Sequence, residues 1–171
     1  AVECIDEDDL IYYYENDFFT EPPKWKYSKE EPPKSLLILD DCLGSPAILQ
    51  SSGLTKIATL NRHVAPLKEN HSNRSACGLA VMILTQSYRM NNGISRVLRE
   101  NVSLLTLFRN KQQKQIDAIR EELANVVDVE KFDKAYKFAT DEKYGSLTTD
   151  FVAREPQFQF RKNLNELIIL D

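Results

Sequence analysis

The stretch Leu36-Leu37-Ile38-Leu39-Asp40-Asp41 governs how the rest of this chain is read. Four apolar residues followed by two acids suit a short strand buried on both faces of a parallel sheet, although a fragment of buried helix has the same pattern. Pro32-Pro33 stands just upstream; consecutive prolines lack amide donors and resist helix, so the chain enters the run extended. Leu79-Ala80-Val81-Met82-Ile83-Leu84 is a second run of this kind, ending in Thr85-Gln86-Ser87. Val102 to Phe108 is a third, alternating less cleanly and ending in Arg109.

Helical spacing fills the intervals. Residues 46–51 and 55–61 read as helical pieces, and Asn92 to Glu100 as a short helix with Ile94, Val97 and Leu98 on one face. Over 110–126 Ile116, Ile119, Leu123 and Val126 recur on a polar background, and Phe132, Ala135, Tyr136 and Ala139 follow at i, i+3, i+4 and i+7. Residues 63–78, with Pro66, Asn70, Ser72, Asn73 and Gly78, read as a loop. From Gly145 onward two or three short strands are expected. Strands alternating with helices predict an α/β fold with a mainly parallel sheet flanked by helices. The expected organisation is a leader over 1–35, a core over 36–144 and a tail over 145–171.

Composition narrows the class. With 171 residues, 42% hydrophobic and 28% charged, the chain can build an ordinary core. Its longest apolar runs, Leu36 to Leu39 and Leu167 to Leu170, are far short of the ~20 residues that span a bilayer, so no membrane span is expected. No charged-then-apolar leader opens the sequence. Cys4, Cys42 and Cys77 form no CxxC pair, which argues against a disulfide framework or a zinc site and for a reducing, intracellular compartment. His63 and His71 are eight apart, outside any helical i, i+4 relation, and do not form a metal pattern.

Charge is unevenly spread. Residues 1–35 hold ten acids and four bases, net −6, whereas residues 54–120 hold eleven bases and three acids, net +8. A basic middle in a chain of net charge −4 fits an anionic partner such as a nucleotide or nucleic-acid backbone; solvation of helix faces is the simpler reading. The leader also carries Tyr12, Tyr13, Tyr14, Phe18, Phe19 and the lone Trp25. Such aromatics either stack on bases or pack on the core, the second being commoner.

Ligands of parallel α/β sheets sit beyond the carboxyl ends of the strands. An acid there can hold Mg²⁺, and a second acid can orient and deprotonate an attacking water. Asp40 and Asp41 stand in that position, as would Asp residues in an ordinary turn. Gln86 ends the second run, where an amide can bond both an attacking water and a γ-phosphate oxygen, or merely satisfy backbone.

The order LLILDD, then Asn61-Arg62-His63, then VMILTQSY, then a helix running into Arg99-Glu100-Asn101 and the strand LLTLF, resembles the poxvirus-type DNA-packaging ATPases of large DNA viruses and virophages. These are a branch of the FtsK–HerA superfamily, and the resemblance covers roughly residues 34–125. It implies a partial RecA-like P-loop core, with ATP and Mg²⁺ as cofactors, in a homo-oligomeric ring that drives double-stranded DNA into a capsid through capsid or portal components. The place of action it implies is the host cytoplasm or the virion. By the same resemblance Asp40 is the Mg²⁺-associated Walker B acid and Asp41 the water-activating carboxylate. Gln86 becomes the γ-phosphate sensor and Arg62 an arginine finger acting across a subunit interface, while Arg99 is structural, pairing with Glu100 or capping a helix end.

Two departures accompany it. No G-x-x-x-x-G-K-[ST] occurs, and Gly44, Gly53, Gly78, Gly93 and Gly145 are isolated, so the loop that cradles phosphates has no counterpart. The segment is therefore expected to correspond to the part of such an ATPase after that loop, or to a split or degenerate relative. Residues 64–77 are also longer than the resemblance implies, and place Lys68, His71 and Arg74 as candidate DNA contacts. A non-enzymatic DNA- or capsid-binding module and another FtsK–HerA translocase are the alternatives.

Overall fold

Leu36–Asp40 forms strand β1 and Ala80–Leu84 forms β2, as the two apolar runs predict. The computed structural model describes residues 36–40, 52–61, 79–89 and 94–170. It is a mixed α/β structure that divides into two compact units, Ala1–Asn101 and Val102–Asp171. Among the described residues no helix is long and apolar enough to cross a membrane.

In the first unit β1 and β2 pair in parallel, from Leu36 opposite Ala80 to Asp40 opposite Leu84. Side chains alternate across a strand, so Leu37, Leu39 and Ile83 share one face. Helices α1 (Ser52–Leu60) and α2 (Arg96–Glu100) seal it: Leu39, Leu54, Ile94 and Leu98 form a buried cluster with Leu37, Ala58 and Ile83 against it. Ile94 precedes α2, Ser95 caps it by accepting from the Leu98 amide, and Val97 points outward. The expectation that both runs are buried on both faces is corrected here: Leu36, Ile38, Met82 and Leu84, on the other face, are exposed. Helix 46–51 lies outside the described residues.

The second unit corrects the expectation of a mainly parallel sheet. The third apolar run forms β3 (Leu104–Phe108), which pairs antiparallel with β4 (Ser146–Asp150) in a four-stranded sheet ordered β3-β4-β5-β6, where β5 is Phe160–Lys162 and β6 Glu166–Leu167. Direction is set by the partner: Thr106 opposes Thr148, their hydroxyls 2.9 Å apart, and Leu107 opposes Leu147. Leu-Leu-Thr-Leu-Phe is apolar on both faces and so has the appearance of a strand inside a parallel sheet, while its partner lies some forty residues further on. Asn163 makes the β5–β6 turn at φ 56°, a conformation asparagine tolerates, and its amide donates back to the Ser146 carbonyl at 2.7 Å.

Helices α3 (Gln113–Leu123) and α4 (Val129–Ala139) follow the predicted periodicity. Ile116, Ile119 and Leu123 are buried on α3, and Phe132, Ala135 and Ala139 on α4, which packs on β4 and β5. Val126 is exposed, because α3 ends at Leu123 and the chain turns to bury Val127 instead. The Asp128 carboxylate caps α4, accepting from the Glu130 and Lys131 amides at 2.9 and 3.1 Å. Arg120 of α3 reaches Asp133 of α4 at 2.7 Å. After α4 the chain turns so tightly that a Cβ on Gly145 would collide with the Ala139 carbonyl oxygen.

Candidate functional site

The parallel register sets the geometry of the site. Asp40 is the last residue of β1 and lies opposite Leu84, the last residue of β2; Gln86 follows two residues later. The backbone therefore brings Asp40 and Gln86 to one edge, the carboxyl end of both strands, and both are exposed. Asp40 falls on the open face of β1 together with Leu36 and Ile38.

The chain beyond β2 is held by local bonds. The Thr85 hydroxyl accepts from the Ser87 amide at 3.2 Å and donates to the Ser87 carbonyl at 2.9 Å, closing a turn around Gln86, and Ser87 is buried. Tyr88 lies under the Arg99 guanidinium, 5.6 Å from ring centroid to charge centre. Arg99 also donates to the Ile94 carbonyl at the entrance to α2. It thus ties the turn after β2 to the start of α2, while Glu100 pairs with Arg96 at 2.6 Å. The Asn101 side chain donates to the Val97 carbonyl at 2.8 Å and closes the end of that helix. A Thr-x-Ser sequence after a strand is the signal that could have announced the turn; the stacking of Tyr88 and Arg99 depends on tertiary placement.

At the opposite end of β2 the Leu79 amide donates to the Asn61 carbonyl at 2.9 Å. The end of α1 is thereby pinned beside the amino end of β2, about 16 Å of strand away from the edge that holds Asp40 and Gln86. Asn61 is the last described residue before Arg62; Asp41, Arg62, Lys68, His71 and Arg74 all lie outside the described residues, as do His63 and the three cysteines.

Among the described residues no group of three or more His, Cys, Asp or Glu side chains could hold a metal ion. An exposed aspartate at a strand's carboxyl edge remains a suitable single ligand for Mg²⁺, which takes one or two carboxylates and fills its other positions with phosphate and water oxygens.

The second unit's polar groups serve the fold. Tyr136 accepts from the Asn110 amide at 2.9 Å and donates to the Phe108 carbonyl at 3.2 Å, fixing the exit of β3. Arg161 pairs with Asp150 at 3.3 Å. Lys162 reaches Glu142 at 2.7 Å and lies over the Phe138 ring at 5.4 Å. Its pKa is raised above 10.5, first by the hydrogen bond to Glu142 and then, against partial desolvation, by the charges of Glu142, Glu166 and Asp141.

No family model, curated protein or solved structure matches this chain.

Proposed function

We propose that the first unit is the Walker B half of an ATPase motor that moves double-stranded DNA into a viral capsid, working as a ring of identical subunits. In this reading β1 and β2 are two strands of a RecA-like core. The observation that supports it is the shared carboxyl edge: the parallel register ends β1 at Asp40 opposite Leu84, two residues before Gln86, and ligands of parallel α/β sheets lie beyond such edges. Asp40 would hold Mg²⁺ jointly with the phosphates. Asp41 would take the proton of the attacking water, and Gln86 would orient that water against the γ-phosphate. Arg62, next in sequence after Asn61, would serve a neighbouring subunit's site as an arginine finger.

A second reading is a non-enzymatic DNA- or capsid-binding module of the same descent, since these 171 residues hold no G-x-x-x-x-G-K-[ST] of their own. The two separate in an assembled motor, and the isolated chain tests whether this segment holds phosphates by itself. The 171-residue chain alone is expected to turn over no ATP; magnesium-dependent hydrolysis abolished by Asp41→Asn would show that another segment holds the phosphates. In an assembled motor containing this segment, Asp41→Asn is expected to trap ATP and slow turnover by ~10²–10⁴ with assembly intact. Turnover within a few-fold of the parent would make Asp41 a turn residue and leave the binding module standing.

A further inference from the structure

Not every charged group of the second unit is taken up by its fold. Arg120 pairs with Asp117 and Asp133, Arg161 with Asp150, and Lys162 with Glu142. Arg109, Lys111, Lys114 and Lys143, by contrast, are exposed and form no ion pair among the described residues. They gather at one end of the unit. Phe108, the last residue of β3, lies opposite Ser146, the first of β4. The Tyr136 hydroxyl donates to the Phe108 carbonyl and accepts from the Asn110 amide, so the exit of β3 is held against the last turn of α4. Gly145 sits against the Ala139 carbonyl, which brings the turn over 140–145 to the same place. Lys111 and Lys114 follow directly, with the Gln112 amide bonded to the Asn110 side chain at 2.8 Å, and no acid stands between Val102 and Ile116. The acids of this end, Asp141, Glu142 and Glu166, are grouped around Lys162. Two aromatic rings stand among the free cations. Phe108 is 63% exposed, and Tyr144, two residues before Ser146, is 79% exposed with the Lys143 ammonium 4.9 Å from its centroid. Tyr144 has φ 68°, where a large side chain is uncommon and asparagine or glycine would hold the turn more easily.

We propose that this end of the second unit binds single-stranded nucleic acid. Arg109, Lys111, Lys114 and Lys143 meet phosphates, and Phe108 and Tyr144 offer faces on which bases stack. Cations without counter-ions attract a polyanion, because binding releases the ions condensed on it. Unpaired bases have free π-faces that exposed aromatic rings complement, and in a duplex those faces are already stacked on one another. A ring that is solvent-exposed and held in a strained backbone conformation contributes little to the fold that carries it, and strain of this kind persists where a side chain serves a partner. An acidic peptide would satisfy the cations and leave both rings without a matching surface; a single strand satisfies both. The proposal stands on the second unit alone and holds whether or not the first unit hydrolyses ATP.

The test uses the full chain and a fluorescent oligothymidine of about 16 nucleotides, with binding followed by anisotropy as salt is raised. The logarithm of affinity is expected to fall with the logarithm of salt concentration, with a slope of about −0.7 per phosphate contact. Changing Lys111→Gln and Lys114→Gln together is expected to weaken binding at least about tenfold and to flatten that slope by about 1.4. Tyr144→Asn carries the sharper expectation. Affinity falls about five- to a hundredfold because a stacking face is gone, while the thermal midpoint rises because asparagine is at ease at that φ. Tyr144→Phe, which keeps the ring, is expected to bind like the parent. Arg154→Gln, at an exposed cation beyond the other end of β4, is expected to leave affinity unchanged. No binding at low salt, unchanged affinity in Tyr144→Asn, or a loss in Arg154→Gln as large as in the double lysine variant would each overturn the proposal. So would a duplex of the same length bound as tightly as the single strand, which would reduce the surface to phosphate attraction without stacking.

Discussion

In the first unit a two-stranded parallel sheet buries one face under α1 and α2 and presents Leu36, Ile38, Met82 and Leu84 on the other. In the second, β4 is buried from Ser146 to Thr149, and exposed large residues such as Leu104, Phe108 and Leu167 sit on the flanking strands. The second sheet is antiparallel in the order β3-β4-β5-β6; β3 and β4 are joined through α3 and α4, and α4 packs on β4 and β5. The parallel pair requires a crossover, and its carboxyl edge is a place where side chains from two distant segments meet. The comparison sets an open, partly apolar face and a shared carboxyl edge in the first unit against a sheet whose central strand is buried in the second.

Four perturbations test that division, in decreasing size of effect. Arg62→Ala, in an assembled motor, is expected to lower ATP turnover by ~10³–10⁵ and leave thermal unfolding unchanged. Mixed with subunits that carry Asp41→Asn but retain Arg62, it should regain part of that activity, since each intact pocket then receives a guanidinium from its neighbour. Near-parental turnover in the homogeneous variant, or loss of only the DNA-stimulated part, would remove Arg62 from the phosphoryl-transfer site.

Phe132→Ala addresses the other unit. Its ring is 1% exposed and stacks on Tyr136 at 6.1 Å, so truncation should cost about 3–5 kcal/mol in denaturant unfolding. A cost below ~1 kcal/mol would mean that α4 is not the keystone of its sheet. Gly145→Ala forces a methyl group against the Ala139 carbonyl and is expected to lower stability by about 1–3 kcal/mol; a neutral result would show that the turn after α4 yields easily.

The smallest effect is a pH dependence. Lys162 has a folded-state pKa raised above its ordinary 10.5, so its contribution is fully present below that value and is lost as pH rises through the raised one. Thermal unfolding followed from about pH 9 to pH 12 should show a shallow alkaline loss that Glu142→Gln flattens. An identical profile in the variant would make the ion pair incidental.

Elements whose identity rests on local pattern were legible. The strands at Leu36–Asp40 and Ala80–Leu84, the α3 and α4 faces and the short strands after Gly145 follow from apolar spacing. Strand direction and face burial were not. The direction of β3 depends on Thr148 and Leu147, and an all-apolar strand looks the same whether one face or two is covered. Val126 matched the helical period but fell beyond the end of α3, since periodicity cannot detect the turn that buries Val127. Of the candidate site, the common edge at which β1 ends in Asp40 and β2 runs on toward Gln86 was legible, because the two apolar runs pair in parallel. The clasp of Arg99 on Tyr88 and Ile94 was not, since the sequence offered Glu100 as a nearer charge.

The Asn61–Leu79 hydrogen bond has a consequence for variation in this chain. It fixes the points at which residues 62–78 depart and return, so the spacing between α1 and β2 no longer depends on how many residues intervene. For a flexible stretch between two such fixed ends, each doubling of length costs about 0.6 kcal/mol in closure entropy. A one-residue slip inside β2, by contrast, would turn Ile83 outward and Met82 into the core.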